Sequence, residues 1–272
     1  MSENPEELLT LAVSVASAAG RLLASWRAQG RPAVASTKSS DTDVVTEMDK
    51  QSERLITERI RAVRPDDTIL GEEGGQTGSG APVRWVVDPL DGTVNYLYGL
   101  PEWAVSIGVE VDGVIVAGVV FAPELEETCT AFSGGGAWVT RGGSAAVKLH
   151  CNDPVPLDHA LVATGFGYTA GRREVQGAVV GALLPRVRDI RRRGSAAVDL
   201  CMVAAGRVDA FYERGLNYWD YAAGGLIARE AGAVVGGLSG RPESTSMAVA
   251  AGPGLYPRLT DFLAGLDPER DA

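Results

Sequence analysis

The sequence predicts a layered α+β or α/β fold, with an antiparallel, helix-covered N-terminal half and an α/β C-terminal half. In the N-terminal half, two helical segments precede a series of strand and turn signals. Among these, Asp112-Gly113 between two apolar runs is the strongest short-range sign of a β-hairpin. After about residue 148, strand patterns alternate with helix patterns, which is typical of α/β architecture. We therefore expect an N-terminal half at 1–148 and a C-terminal half at 149–272, packed as one compact unit.

The N-terminal half should contain two helices and several short strands. Apolar residues recur at three- and four-residue steps over 6–28, which predicts the first helix. The second should begin at Thr46, because Thr46 and Asp49 have capping-box spacing, and end at Pro65. The other expected elements are extended or irregular chain at 33–45, strands at 68–70 and 85–87, the second broken by Pro89, a loop at 74–82, a hairpin at 105–121 and a strand pair around Gly142-Gly143.

The C-terminal half should alternate strands with helices. Ser195 is placed to cap a helix that Gly206 closes, since serine side chains satisfy free amides at helix starts and glycine favours helix ends. The strand that begins at Asp209 leads to Glu213. The expected strands cover 160–164, 209–212 and 247–251, and the expected helices cover 172–184, 196–205, 220–232 and 256–265.

Composition narrows the class of protein. The 272 residues carry a net charge of −10 with 45% hydrophobic residues, so direct binding to nucleic acid or to an acidic membrane surface is disfavoured. Three cysteines without a Cys-x-x-Cys pair favour a reducing compartment. The acidic N-terminus is unlike a secretory signal. The sequence has no run of about 18 apolar residues, which a membrane-spanning helix would need. These features predict a cytoplasmic protein.

Residues 85–96, Trp-Val-Val-Asp-Pro-Leu-Asp-Gly-Thr-Val-Asn-Tyr, are the most informative segment. A buried strand ends in Asp88, and Asp91 follows three residues later. Carboxylates of this kind suit hard divalent cations. The backbone N–H groups of the Gly92-Thr93 turn suit phosphate. One short segment therefore has both halves of a metal-dependent phosphate chemistry.

Six acidic residues fall at the ends of predicted elements, and any one alone is more often a solvated or capping group. Together they predict an all-oxygen metal site, and His150 and His159 lack metal-ligand spacing, which favours Mg²⁺ over Zn²⁺. Two metal ions bridged by one carboxylate would activate water for an in-line displacement. Thr93 could orient that water, or it could simply cap a helix. The six residues are Asp49, Glu72, Asp88, Asp91, Glu213 and Asp220.

The segment Asp88–Tyr96 resembles the first signature of the inositol monophosphatase family. Trp219–Gly224, followed by Glu230-Ala231-Gly232, resembles the second, and Gly71–Glu73 and Asp43–Asp49 resemble the acidic motifs of that family. Two minor departures are Tyr96 in place of Phe and Ala233 in place of Gly. The resemblance implies a layered αβαβα sandwich of the sugar-phosphatase type.

The resemblance also implies two to three Mg²⁺ ions per subunit. The first site would be Glu72, Asp88 and the carbonyl of Leu90. The second would be Asp88, Asp91 and Asp220, and a third, weaker ion would lean on Glu72. Family members are typically Mg²⁺-dependent, Li⁺-inhibited homodimers, so a homodimer is expected here.

Further roles follow from the same resemblance. Asp49, Thr93 and Glu72 would serve catalysis by activating the water, and the amides of Gly92 and Thr93 would hold the phosphate. The residues expected at the substrate are Asp91, Ser195, Ala196, Glu213 and Lys38.

The predicted function is a Mg²⁺-dependent phosphomonoesterase that acts on inositol 1-phosphate or a similar small polyol phosphate. Asn217 and the stretch 165–168 lie in regions that vary with substrate, so other members of the superfamily stay open. These are histidinol-phosphate phosphatase, fructose-1,6-bisphosphatase and 3′-phosphoadenosine-5′-phosphate phosphatase. An alternative of another class is a regulatory binding protein that retains the fold.

Three other patterns suggest different chemistry. Asp41–Val45 fits the acidic motif of haloacid-dehalogenase phosphatases, but a polar stretch precedes it where that motif needs a buried strand. Gly134-Gly135-Gly136 lacks the Lys-Ser/Thr of a phosphate loop and predicts a turn. The basic cluster Arg186–Arg193 is interpreted as a solvated face or a subunit interface for most of its members, and attraction of an anionic substrate is the alternative.

Overall fold

The computed structural model describes residues 3–30, 34–37, 44–78 and 80–270. Over these ranges the chain forms seven α-helices. Every helix that the sequence predicts is present, with boundaries within about two residues of the expected ones. The helices are α1 (Pro5–Arg27), α2 (Glu47–Val63), α3 (Thr93–Tyr98), α4 (Ala170–Leu183), α5 (Ala196–Ala204), α6 (Tyr218–Glu230) and α7 (Tyr256–Ala264).

The strands belong to three sheets. A small antiparallel pair joins β1 (Val34–Thr37) to β2 (Val44–Thr46). An eight-stranded sheet has the order β10-β9-β8-β7-β6-β5-β3-β4 and is antiparallel except between β3 and β5. Its strands are β3 (Thr68–Gly71), β4 (Gly75–Thr77), β5 (Val83–Asp91), β6 (Ala104–Val111), β7 (Val114–Ala122), β8 (Glu127–Phe132), β9 (Gly136–Arg141) and β10 (Val147–Lys148).

The third sheet is mixed and has the order β12-β11-β13-β15-β14. The neighbours of β11 run parallel to it, whereas β15 is antiparallel to both of its neighbours. Its strands are β11 (Leu161–Thr164), β12 (Asp189–Arg191), β13 (Ala210–Glu213), β14 (Val234–Gly236) and β15 (Ala248–Ala251).

The elements stack in five layers. Helices α1 and α2 cover the outer face of the eight-stranded sheet. Helices α5 and α6 fill the space between the two large sheets, with small side chains such as Ala197 and Ala223 fully buried there. Helices α4 and α7 cover the far face of the five-stranded sheet. The predicted αβαβα sandwich is confirmed, and both large sheets share the α5–α6 layer.

Helix α1 has a buried stripe, formed by residues such as Leu8, Val15 and Leu23, against the eight-stranded sheet. It is also the one helix in the described chain that is long and apolar enough to cross a membrane. Its packing on the sheet is that of a core helix. The hydroxyl of Tyr96, which replaces the usual Phe, donates a hydrogen bond to the Leu23 carbonyl at 2.8 Å and so ties α3 to α1.

Pro89 does not end β5, contrary to the prediction. The strand continues to Asp91, and its pairing with β6 shifts between Asp88, opposite Ser106, and Asp91, opposite Ala104. Proline is tolerated at such an irregularity because the missing N–H interrupts no regular pairing. The Pro89 carbonyl accepts a hydrogen bond from Ser52 Oγ at 2.9 Å. The disruption of pairing lies at the two carboxylates.

Other strands were missed or misassigned. The predicted loop at 74–82 contains β4, which pairs antiparallel with β3 and makes Glu72 part of a hairpin turn. Strands β8, β12 and β14 were not predicted, and the last two are only three residues long. Such short segments carry too little alternation to be recognised. The expected turn at Gly134–Gly136 is present, and Glu230 accepts its N–H groups.

Candidate active site

A cavity of about 350 Å³ lies where elements of both large sheets meet. Its walls come from the β3–β4 turn, the end of β5, the start of α3, the segment after β11, and the starts of α5 and α6. The predicted residues that line it are Glu72, Asp88, Leu90, Asp91, Gly92, Thr93, Ala196, Glu213 and Asp220. Lys38 lies outside the described residues.

Asp88 lies at the irregularity in β5 and is only 2% exposed. Its Oδ1 accepts a hydrogen bond from the N–H of Leu90 at 3.0 Å, as short acidic side chains commonly do two residues ahead in turns. This bond holds the carboxylate beside the Leu90 backbone. The two groups predicted to share the first metal ion are therefore fixed by one turn.

Glu72 lies in the β3–β4 turn, whose backbone N–H groups are hydrogen-bonded to the carboxylate of Glu53. Glu53 of α2 is 9% exposed, and its two oxygens accept the N–H groups of Glu73 at 2.9 Å and Gly74 at 2.7 Å. Such second contacts commonly fix the orientation of a functional carboxylate. The sequence did not reveal Glu53, because a glutamate within a charged helix usually faces solvent.

Asp91 joins the two halves of the chain. Its Oδ2 accepts hydrogen bonds from Ser195 Oγ at 2.6 Å and from the N–H of Ala197 at 2.7 Å. Ser195 also caps α5, as predicted, by accepting from Val198. Because Ser195 is 2% exposed and does not line the cavity, it is placed to act on Asp91 rather than to contact substrate. Ala196 does line the cavity.

Thr93 and Asp49 form a hydrogen-bonded pair, with Thr93 Oγ1 2.9 Å from Asp49 Oδ1 and 3.1 Å from the Leu90 carbonyl. The other oxygen of Asp49 accepts both the N–H and the hydroxyl of Thr46 at 2.8 and 2.5 Å, which completes the capping box of α2. Asp49 thus caps one helix and contacts the first residue of another. The interpretation of Thr93 as a helix cap is wrong, because Gly92 occupies the N-cap of α3 and no side chain caps that helix.

Asp220 and Glu213 come from the C-terminal half. Asp220 lies in the first turn of α6, where its Oδ2 accepts the N–H of Asn217 at 2.6 Å. Glu213 ends β13, and its carboxylate packs against Gly165, where any Cβ would overlap it. Both side chains line the cavity opposite groups from the N-terminal half.

The carboxylates raise one another's pKa values. Burial, followed by the charges of Glu72, Asp91 and Asp220, raises the pKa of Asp88 well above its ordinary value. Burial raises the pKa of Asp91 to about 6 and that of Asp49 to about 6. Burial and the charge of Glu72 raise the pKa of Asp220 well above its usual range. Burial raises the pKa of Glu213 to about 8, against a smaller opposite effect of Arg192.

This donor set fits hard divalent cations. Several carboxylates and one carbonyl supply only oxygen atoms, and their mutual repulsion is the kind that a bound cation offsets. Within the described ranges, no three His, Cys, Asp or Glu side chains already have the mutual arrangement of a metal site. The fit therefore depends on the convergence of these groups on one cavity and on their raised pKa values.

The Gly92-Thr93 turn brings backbone N–H groups to the same cavity. Gly92 has a φ of +91°, and a Cβ there would lie 2.8 Å from the Glu102 carbonyl, so glycine is required twice over. The first amides of α3 have no partner within the helix. They are available to an anion beside Asp88 and Asp91.

Sequence reasoning did not place three basic residues in the cavity, Arg172, Arg192 and Arg214. Arg192 was considered only as part of the basic cluster, for which attraction of an anionic substrate was the alternative interpretation. It also missed the support from Asn95, whose amide donates to the carbonyls of Glu102 at 2.6 Å and Arg193 at 2.7 Å. No signal in the sequence distinguishes Arg172 from its exposed neighbour Arg173.

Comparison with known proteins identifies the family of this chain. The profile described as "Inositol monophosphatase family" matches residues 4–265. Inositol-1-monophosphatase from Mycobacterium leprae (strain TN) is 46% identical over 287 aligned positions, covering 98% of this chain and 98% of the relative. A Haemophilus influenzae protein named Nus factor SuhB is 41% identical over 230 positions, covering 84% of each chain.

Solved structures show the same fold. The structure of Mycobacterium tuberculosis SuhB superposes with a TM-score of 0.84 at 42% identity, covering 99% of this chain and 100% of that one. The layered fold, the acidic cavity and the named relatives together define a phosphatase. The chain belongs to the inositol monophosphatase family.

Proposed function

We propose that the chain is a Mg²⁺-dependent phosphomonoesterase that hydrolyses inositol 1-phosphate or a similar small polyol phosphate to the alcohol and inorganic phosphate. The observation that carries this proposal is the convergence of Glu72, Asp88, Asp91 and Asp220 on one cavity of about 350 Å³. The volume suits a small ligand. The relatives named inositol-1-monophosphatase support the choice of substrate.

Two to three Mg²⁺ ions are proposed, as in the sequence prediction. The first would be held by Glu72, Asp88 and the Leu90 carbonyl, the second by Asp88, Asp91 and Asp220, and a third more weakly by Glu72. When bound, such ions polarise the phosphoryl group, lower the pKa of water and stabilise the leaving oxygen. The hydrogen bond between Leu90 and Asp88 would keep the first ligand set in place.

Thr93, Asp49 and Glu72 are proposed to prepare the attacking water. With the Thr93 proton directed to Asp49 Oδ1 at 2.9 Å, the Thr93 oxygen can accept a hydrogen bond from water in the cavity. The N–H groups of Gly92 and Thr93 would bind the phosphate oxygens. Ala196, Glu213, Asp91 and Lys38 would contact the alcohol part, and Ser195 would orient Asp91.

The decisive experiment measures phosphate release. Purified protein is assayed with inositol 1-phosphate, histidinol phosphate, fructose 1,6-bisphosphate and phosphoadenosine phosphate. Each assay contains Mg²⁺ or EDTA, with and without Li⁺. We expect Mg²⁺-dependent turnover of inositol 1-phosphate that EDTA abolishes and Li⁺ reduces.

A matched pair of variants separates the site from general effects of charge. Asp88→Asn should abolish turnover while circular dichroism stays unchanged. Asp112→Asn makes the same change in the exposed β6–β7 turn and should leave turnover unchanged. Near-native activity of folded Asp88→Asn would refute the metal assignment. If no phosphate is released from any of the four substrates, the result would favour the binding role suggested by the relatives named Nus factor.

A further inference from the structure

Arg172 and Arg192 line the same cavity as the acidic groups. Neither has an ion pair or a hydrogen bond within the described parts of the chain. Neighbouring arginines do: Arg191 pairs with Asp189 at 2.6 Å, and Arg193 lies 3.6 Å from Glu102. Arg172 is half-buried, whereas Arg192 is exposed and lies over the Phe166 ring, so both guanidinium groups can still bind a ligand through their N–H donors.

The backbone around both side chains leaves room for them. A Cβ at Gly167 would lie 2.7 Å from Arg172 Cδ, and a Cβ at Gly215 would overlap the Arg172 guanidinium. A Cβ at Gly194 would lie 2.5 Å from Arg192 Nη1. The stretch that begins at Gly165 is fixed in turn, because Gln176 accepts the N–H of Gly167 at 3.0 Å. Glycines thus let both arginines lie along the cavity wall.

The charge of Arg192 lowers the pKa of Glu213, the acidic residue of the cavity that is not a proposed metal ligand. The same charge also lowers the pKa of the buried Asp199. The guanidinium carbon of Arg192 is 5.8 Å from the centre of the Phe166 ring. The main effects on Asp88 are burial and other carboxylates. The cavity therefore contains both carboxylates suited to cations and arginines suited to an anion.

We propose that Arg172 and Arg192 form a second anion subsite, so that small phosphate esters with a second anionic group, a phosphate or a carboxylate, bind more tightly than matched esters without one. This deepens the proposed function and rests on it. Guanidinium groups bind both kinds of oxyanion through paired N–H donors. Among the described residues Arg192 makes no direct ion pair with Glu213, although its charge lowers the pKa of that carboxyl.

Matched substrates test the subsite. Fructose 1,6-bisphosphate is compared with fructose 1-phosphate, and 6-phosphogluconate with sorbitol 6-phosphate, so that each pair differs in one distal charged group. We expect KM to be about tenfold lower for the doubly anionic member of at least one pair, the size of one charge-assisted hydrogen bond. The pair that shows the effect tells whether phosphate or carboxylate is preferred.

Variants assign the preference to residues. Arg172→Gln and Arg192→Gln should each reduce the KM ratio within the responsive pair by about tenfold. Arg173→Gln removes the same charge from the exposed neighbour of Arg172 on α4 and should leave that ratio unchanged. An unaltered ratio in both cavity variants, or equal KM values in each parental pair, would overturn the subsite.

A binding measurement separates this inference from the proposed function. Isothermal titration compares a non-hydrolysable hexitol bisphosphonate with the monophosphonate, and the parent protein should bind the bisphosphonate about tenfold more tightly. Retained preference without turnover of any ester would refute the proposed function and keep the subsite. Turnover of singly charged esters with equal binding of the two phosphonates would keep the proposed function and refute the subsite.

Discussion

Ser195 donates its hydroxyl proton to Asp91 Oδ2 at 2.6 Å, across 104 residues of sequence. The contact joins the end of β5 in one sheet to the first turn of the helix that lies between both sheets. The same carboxylate oxygen also accepts the N–H of Ala197. The position of a proposed metal ligand thus depends on a helix cap.

Removal of that hydroxyl should weaken both the fold and the site. Ser195→Ala is expected to cost about 1–2 kcal/mol of unfolding free energy, as the loss of a buried cap does, and to raise the Mg²⁺ concentration for half-maximal activity. Chemical denaturation and Mg²⁺ titration measure the two effects. Ser246→Ala, at an exposed position, is the control. Unchanged values in Ser195→Ala would contradict the proposed link between the cap and Asp91.

The Thr93 hydroxyl should matter to the rate rather than to binding. Thr93→Val keeps the shape but cannot donate to Asp49, so we expect kcat to fall by about 100-fold, within the range for lost proton transfer, with KM little changed. Thr93→Ser keeps the hydroxyl and should stay within about tenfold of the parent. Steady-state kinetics on inositol 1-phosphate would decide, and a Val variant as fast as the Ser variant would exclude the proposed role.

Glu53 should act on Glu72 through the β3–β4 turn. Glu53→Gln replaces one of the two acceptors that hold Glu73 and Gly74 with a donor. Because supporting contacts tune ligand affinity by about 10–100-fold, we expect about tenfold weaker Mg²⁺ activation that saturating Mg²⁺ largely restores. Glu58→Gln, exposed on the same helix, serves as the matched control. Identical Mg²⁺ curves for the two variants would show that the turn needs no such support.

The stability of the metal-free protein should depend on pH in an unusual direction. Carboxyl groups whose pKa is raised in the folded state stabilise it below their ordinary pKa near 4, and that contribution is lost as pH rises through the raised value. For Asp49 and Asp91 that value is about 6. With EDTA, the melting temperature should therefore fall between pH 5 and 7.5, and the stabilisation by Mg²⁺ should grow over the same range. Scanning calorimetry measures both.

Asp88→Asn provides the comparison for this pH effect. Without the ionisable group at the centre of the cluster, the decline in melting temperature with pH should become shallower. A metal-free parent whose melting temperature rises steadily from pH 5 to 7.5 would show that repulsion among these carboxylates does not limit the fold.

Local signals in the sequence were sufficient for elements whose cause is local. The capping box of Thr46 and Asp49 and the Asp112-Gly113 turn each depend on a few adjacent residues, and both are present. The course of β5 through Pro89 depends instead on β6 and on Ser52 of α2, neither of which belongs to the strand. The local sequence of a strand does not reveal such tertiary partners.

The candidate site shows the same division. The acidic groups were found because they follow recognisable strand ends and resemble family signatures. Glu53, Arg172 and Arg192 were not, since a charged residue on a helix or loop has the same local pattern whether it faces solvent or a cavity. The hydrogen bond from Ser195 to Asp91 could also not be predicted, because it joins two segments that are distant in sequence.

The shared layer of α5 and α6 has a consequence for how the chain folds during synthesis. The inner face of the eight-stranded sheet is complete in sequence at Lys148, but the helices that cover it end only at Glu230. For the time needed to make some 80 residues, at about 5–20 residues per second, that apolar face has no cover from its own chain. A nascent chain at this stage is the form in which chaperone binding or aggregation should concentrate.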